Sequence, residues 1–117
     1  MSGGPAEAVA PDPLDRTLAA LADPARRRVV ELLREQPRRA GDLAAALEVS
    51  PSVMSRHLKV LRDCEVVEET SPEFDARVRI YALRTGATSE LRRWLDGVEQ
   101  GWAEQLTALK AHVERDR

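Results

Sequence analysis

Ser52, Ser55, Arg56 and Lys59 fall within one stretch, SPSVMSRHLKVLRD (50–63), and are the side chains best suited to touch a nucleic acid. Between them Met54, Leu58 and Leu61 recur at i, i+4 and i+7, so a helix here turns its apolar side chains one way and its hydroxyls and cations the other. Short hydroxyls let a helix backbone approach a groove, and an arginine fork matches the two acceptors that guanine presents there. Arg56 is therefore the first candidate for direct base readout. Competing chemistry finds little support. No nucleophile-base pair, phosphate-binding loop or metal-ligand cluster stands out, and the chain reads as a non-enzyme without cofactor or metal.

Such a helix has to be held by others. Asp12-Pro13, Asp23-Pro24 and Ser50-Pro51 each place an N-cap acceptor before a proline whose missing N–H costs nothing at the first helical position. The first helix then runs to about Leu21, with Leu14, Leu18 and Leu21 on one stripe. The second spans 24–36, turns Val29, Val30, Leu32 and Leu33 inward and stops before Pro37. A short Ala-rich third helix, 41–48, carries Leu43 and Leu47, and after a tight turn Ser50 opens the fourth, which reaches about Asp63.

Beyond that helix the apolar period changes from about 3.6 to about 2. Val66 and Val67, the turn residues SPEFDA, and Val78, Ile80 and Ala82 alternating with Arg77, Arg79 and Tyr81 predict a two-stranded hairpin. Thr85-Gly86 ends it, and Thr88 or Ser89 caps a last helix over about 88–115. Its apolar positions Leu91, Leu95, Val98, Trp102, Leu106, Leu109 and Val113 approach a coiled-coil seam, with Trp94 alongside. The fold class is mainly α with a small β-hairpin wing. A short helix, a tight turn, a second helix and a hairpin make the order of a winged helix-turn-helix, whose second helix lies in the major groove.

Length and composition agree with one domain. The 117 residues are 43% hydrophobic and 32% charged, enough for a modest core. Residues 1–11, rich in Gly, Pro and Ala, read as a disordered tail, and 12–117 as the winged domain with its terminal helix. No apolar run is long enough to cross a bilayer and no secretory signal is present, so the expected location is cytoplasmic and away from membranes. The single Cys64 excludes an internal disulfide. The net charge of −2 conceals a segregation: +5 over 24–62, −6 over 63–75 and +3 over 76–85. Local fields, rather than the total, steer a protein toward phosphate, because distant charges are screened.

LADPARRRVVELL (21–33), followed by SPSVMSRHLKVLRD and a hairpin, closely resembles the ArsR-type winged-helix transcriptional repressors over about residues 14–113. The resemblance implies a homodimer on double-stranded DNA, at a pseudo-palindromic operator. By matching positions it implies that Ser52, Ser55 and Arg56 read bases while Lys59, Arg77 and Arg79 hold phosphates. Metal-sensing members carry a cysteine pair where this chain has Arg39-Ala40-Gly41-Asp42-Leu43, and His112-Val113-Glu114 on the last helix lacks the one-turn spacing that puts two ligands on one face. The chain thus resembles the metal-independent branch; no small-molecule effector is legible in it.

Some residues stand apart from that pattern. Glu48 and Glu65 occupy positions where the pattern expects glycine, at a cost of about 1 kcal/mol wherever the backbone is left-handed. Glu65, Glu68, Glu69, Glu73 and Asp75 repel phosphate on one side of the wing, which favours its base, Arg77 and Arg79, over its tip. His57 reads as a hydrogen-bonded structural residue and Cys64 as a small buried hydrophobe. Trp94 and Trp102 read as packing or interface anchors. So long an apolar seam cannot be buried within so small a domain. Self-association through Leu14 and Leu18 of the first helix and Leu91, Leu95, Val98, Trp102, Leu106 and Leu109 of the last is the expectation. The alternative from another class is a winged-helix interaction or dimerisation module that no longer binds DNA, consistent with the acidic wing and a pI near 5.7.

Overall fold

A proline at the first turn and an oxygen acceptor just before it define three of the five helices found among the described residues. In the computed structural model, which describes residues 12–75 and 77–116, the caps form as the sequence predicts. Asp12 accepts from the Leu14 amide at 2.7 Å and opens α1 (Pro13–Leu21). Asp23 accepts from Ala25 at 2.8 Å and Arg26 at 3.3 Å and opens α2 (Pro24–Glu35). Ser50 accepts from Val53 at 3.2 Å and opens α4 (Pro51–Asp63). These side-chain oxygens satisfy amide donors that a helix start leaves without intrahelical partners. The expected tail, residues 1–11, lies outside the described residues.

Between α2 and α3 (Ala40–Leu47) lies a strand that the periodicity does not announce, β1 (Arg38–Arg39). With β2 (Val67–Thr70) and β3 (Ile80–Leu83) it forms an antiparallel sheet in the order β1-β3-β2. Arg38 faces Tyr81 and Arg39 faces Ile80 on one side of β3, while Glu69 faces Tyr81 and Thr70 faces Ile80 on the other. Two arginines after a proline carry no strand period of their own; pairing with β3 makes them one. Along β3 the inward residue also differs from expectation. Tyr81 is buried, whereas Ile80 and Ala82 are only partly covered, because the phenol ring enters the core and its hydroxyl finds an acceptor across the strands.

The chain divides into two units, Met1–Ala87 and Thr88–Arg117. The first has a single core: Ala20 of α1, Val29, Leu32 and Leu33 of α2, Leu43 and Ala44 of α3, Met54, Leu58 and Leu61 of α4, then Val66, Val67 and Tyr81. On α1 the buried residues are Thr17 and Ala20, and Leu18 is left exposed. Glu48 and Glu65 both take left-handed backbone, at φ 55° and 61°. Each closes a helix: Glu48 caps α3, and Glu65 follows α4, where its amide reaches the Arg62 carbonyl at 3.0 Å. The fold accepts the strain instead of relaxing it, since these turns set how the chain enters and leaves α4.

The second unit is α5 (Ser89–Arg115), 27 residues of which none is buried. No helix among the described residues is long and apolar enough to cross a membrane.

Candidate nucleic-acid interface

α4 is built to present one face. Met54, Leu58 and Leu61 are 0%, 2% and 0% exposed, so the helix is fixed to the core along its whole length. Ser52, Ser55, Arg56 and Lys59 are all exposed. Rotation that would hide them would also drag three fully buried side chains into water, at roughly 1.5–3 kcal/mol each. Display of the polar face is therefore a consequence of core packing.

Ser55, Arg56 and Lys59 line a groove of about 540 Å³ together with Arg62, Glu69, Arg79 and Tyr81. Four of the six residues expected to meet DNA thus share one concavity between α4 and the wing. Ser52 and Arg77 are not in its lining. The Ser52 hydroxyl lies 3.4 Å from that of Ser50, at the helix start. Arg77 stands out on the wing, its guanidinium 3.2 Å from Asp75, whose carboxylate also accepts from the Arg77 amide at 3.0 Å.

Most of the cations here have an internal partner. Lys59 pairs with Asp63 at 3.0 Å one turn along α4, and Arg84 pairs with Glu65 at 3.4 Å. Glu69 has three partners: it accepts from the Tyr81 hydroxyl at 2.6 Å on Oε2 and from Arg79 at 3.0 Å on Oε1, and it pairs with Arg62 at 3.2 Å from Oε2. The Tyr81 hydroxyl bond, opposed by burial and reinforced by the Arg79 and Arg62 charges, holds the Glu69 carboxyl below its usual range. Burial and the same carboxylate push the Tyr81 phenol up to about 12. Among the described residues no ion pair or hydrogen bond is found for the Arg56 side chain, which leaves its fork of donors open to a ligand.

Arg62 is the groove residue that the sequence reading passed over. Its signal was present: Ser55, Lys59 and Arg62 also follow i, i+4, i+7, on a stripe that flanks the apolar one, each one residue after it. Glu69 and Tyr81 could not be paired from sequence, because their contact depends on the β2-β3 register.

Behind α4, His57 is half-buried, with Nδ1 3.4 Å from an Arg26 guanidinium nitrogen, while Arg26 donates from Nε to the Ala20 carbonyl at 2.7 Å. These contacts tie α1, α2 and α4 together. Arg27 is likewise turned to carbonyls, those of Leu21 at 2.8 Å and Ala22 at 3.1 Å. Cys64 is half-buried, its thiol 3.5 Å from the Leu61 carbonyl and pushed up in pKa by burial, which keeps it in the less reactive protonated form. No group of His, Cys, Asp and Glu side chains placed to hold a metal ion occurs among the described residues.

On α5, Trp94, Leu95, Val98, Trp102, Leu106, Leu109 and Val113 are between 46% and 66% exposed, and Leu91 is partly covered. Around Gly97 and Gly101, the adjoining residues and the helix's own backbone apart, no described atom lies within 4 Å of where a side chain would begin.

Comparison with known proteins places this arrangement. Residues 23–69, which contain α2, α3, α4 and the start of the wing, match the family model described as bacterial regulatory protein, arsR family. The chain is 38% identical over 102 residues to the HTH-type transcriptional regulator Rv2034 of Mycobacterium tuberculosis, across 87% of this chain and 90% of that one. It is 28% identical over 82 residues to the transcriptional repressor SdpR of Bacillus subtilis, across 70% and 88%. Among solved structures, an ArsR-like transcriptional regulator from Rhodococcus sp. RHA1 superposes with a TM-score of 0.71 at 28% identity, covering 84% of this chain and 90% of its own.

Proposed function

The chain belongs to the arsR family of bacterial regulatory proteins, winged helix-turn-helix DNA-binding regulators of transcription, and from that premise we propose that it acts as a homodimeric repressor whose two α4 helices read a pseudo-palindromic operator. The observation that carries this reading is the exposed face of α4. It joins an unpaired Arg56 to two short hydroxyls on a helix locked to the core by its other face.

In this reading Ser52, Ser55 and Arg56 meet base edges in the major groove, with Arg56 across guanine O6 and N7. Lys59, Arg77 and Arg79 hold phosphates and set the register of the helix on the duplex. Dimerisation is assigned to the apolar stripe of α5, Leu91, Leu95, Val98, Trp102, Leu106 and Leu109, and separately to Leu14 and Leu18 on α1. A stripe this exposed over so long a helix is what a second copy would cover. A twofold dimer sets its reading helices about 34 Å apart, one turn of duplex, which gives the operator its symmetry.

The test uses a duplex selected from a random pool by the wild-type protein. Arg56→Ala is expected to cost about 1–3 kcal/mol of discrimination on that duplex in a mobility shift, with self-association unchanged. Undiminished affinity for the selected duplex would refute the role of Arg56.

A further inference from the structure

Two arginines on a phosphate-binding surface repel one another and together attract any duplex. Arg62 and Arg79 form such a pair, yet Glu69 lies within 3.2 Å and 3.0 Å of their guanidiniums. This carboxylate lies deeper than the other wing acids paired with arginine. The Glu69 side chain is 18% exposed, against 44% and 60% for the side chains of its partners Arg62 and Arg79, 29% for Asp75 and 71% for Glu65, which is paired with Arg84. Glu69 is also held from below. Its cross-strand partner is Tyr81, whose ring is buried and whose hydroxyl donates to Oε2 at 2.6 Å. A surface glutamate can swing aside when a phosphate arrives; this one is fastened where the phosphate would approach.

We propose that Glu69 is a specificity-determining residue: a carboxylate fixed in the groove by Tyr81 that cancels one of the two guanidinium charges of Arg62 and Arg79, and so restrains attachment to arbitrary duplex while the α4 side chains select sequence. The inference rests on the assignment of the α4 face to DNA. Where a phosphate would sit in the groove, the triad offers a single positive charge, and indiscriminate binding follows the number of phosphates neutralised there, through counterion release. Base contacts by Ser52, Ser55 and Arg56 do not depend on that charge. Removing the carboxylate therefore adds the same phosphate attraction to every duplex, and random sites fill at protein concentrations at which wild type occupies only the selected one.

The test measures binding of a labelled random-sequence duplex, and of the selected duplex, as a function of salt. In Glu69→Gln, which keeps the shape and an acceptor for Tyr81, the logarithmic salt slope on random duplex steepens by about 0.9, so that between about 200 mM and about 50 mM salt its affinity rises about threefold more than that of wild type. The selected duplex gains no more than the random one. Adding Arg79→Gln to Glu69→Gln returns the slope to the wild-type value. Glu68→Gln, which removes the same charge from an exposed neighbouring position, leaves the slope unaltered. Tyr81→Phe keeps every charge and the packed ring, carries the test should Glu69→Gln melt early, and shifts random binding in the same direction by freeing the carboxylate. An unchanged or shallower slope in Glu69→Gln, an equal effect of Glu68→Gln, or no response to Tyr81→Phe overturns the inference while leaving the α4 assignment intact. A wild-type protein that binds neither duplex overturns both.

Discussion

α4 and α5 are both amphipathic, yet the chain treats their apolar faces in opposite ways. Met54, Leu58 and Leu61 of α4 are at most 2% exposed, whereas Trp94, Leu95, Val98, Trp102, Leu106, Leu109 and Val113 of α5 are at least 46% exposed. The difference lies in available partners. α4 is surrounded in sequence by helices and strands short enough to fold back on it, and twelve residues from α1 to α4, β2, β3 and the turn after α4 make one core. α5 follows the last strand, runs 27 residues, and buries none. An amphipathic pattern therefore reports that a helix needs a partner; whether that partner is in the same chain is a separate matter.

Leu61 carries the largest expected effect on the contrast between the two helices. Leu61→Ala is expected to cost about 2–5 kcal/mol in urea unfolding, through lost burial and the cavity left behind. Its partners lie in its own chain, so the loss should be equal at dilute and concentrated protein. A loss that grew on dilution would mean that the α4 core depends on a second copy.

On α5 the expected behaviour is the reverse. Trp102→Ala should weaken self-association by about 2 kcal/mol, the range of an aromatic anchor at an interface. Sedimentation equilibrium should show this as a roughly thirtyfold rise in dissociation constant. Monomeric wild type, or a Trp102→Ala protein that associates as tightly as wild type, would remove the contrast between the two helices.

The smallest effect is silent at neutral pH. Tyr81 is the only tyrosine, so tyrosinate absorbance reports it alone. Its folded pKa of about 12 lies above the ordinary value of 10, and between those values the folded protein binds more protons than the unfolded one. Stability supplied by the protonated phenol is thus complete below about pH 10 and is lost as pH rises toward about 12. Tyr81→Phe should remove that part of the alkaline decline, as read by thermal melts of the two proteins. An absorbance midpoint near the ordinary tyrosine value would show that the Glu69 contact is not maintained in solution.

Much of the first unit was legible because the signals are local. Cap and proline pairs place the starts of α1, α2 and α4 within a residue, and the period of Met54, Leu58 and Leu61 picks out the buried face of α4 and, by exclusion, the face bearing Ser52, Ser55, Arg56 and Lys59. β1 escaped because two residues have no period. Inward Tyr81 escaped because an amphipathic side chain buries its ring only where a strand neighbour can take its hydroxyl. Glu48 and Glu65 were legible as positions that want glycine, but only the folded backbone reveals that both are left-handed all the same.

The set of helices, their polar and apolar faces, and the residues on the exposed face of α4 each follow from neighbours within a turn or two, and so could be read from local spacing. Only the tertiary structure decided which charges are already spoken for. Glu69 comes to Arg62, Arg79 and Tyr81 through strand register and through the docking of the wing on α4, and the free energy of such long-range pairing depends on positions in space that no local spacing encodes.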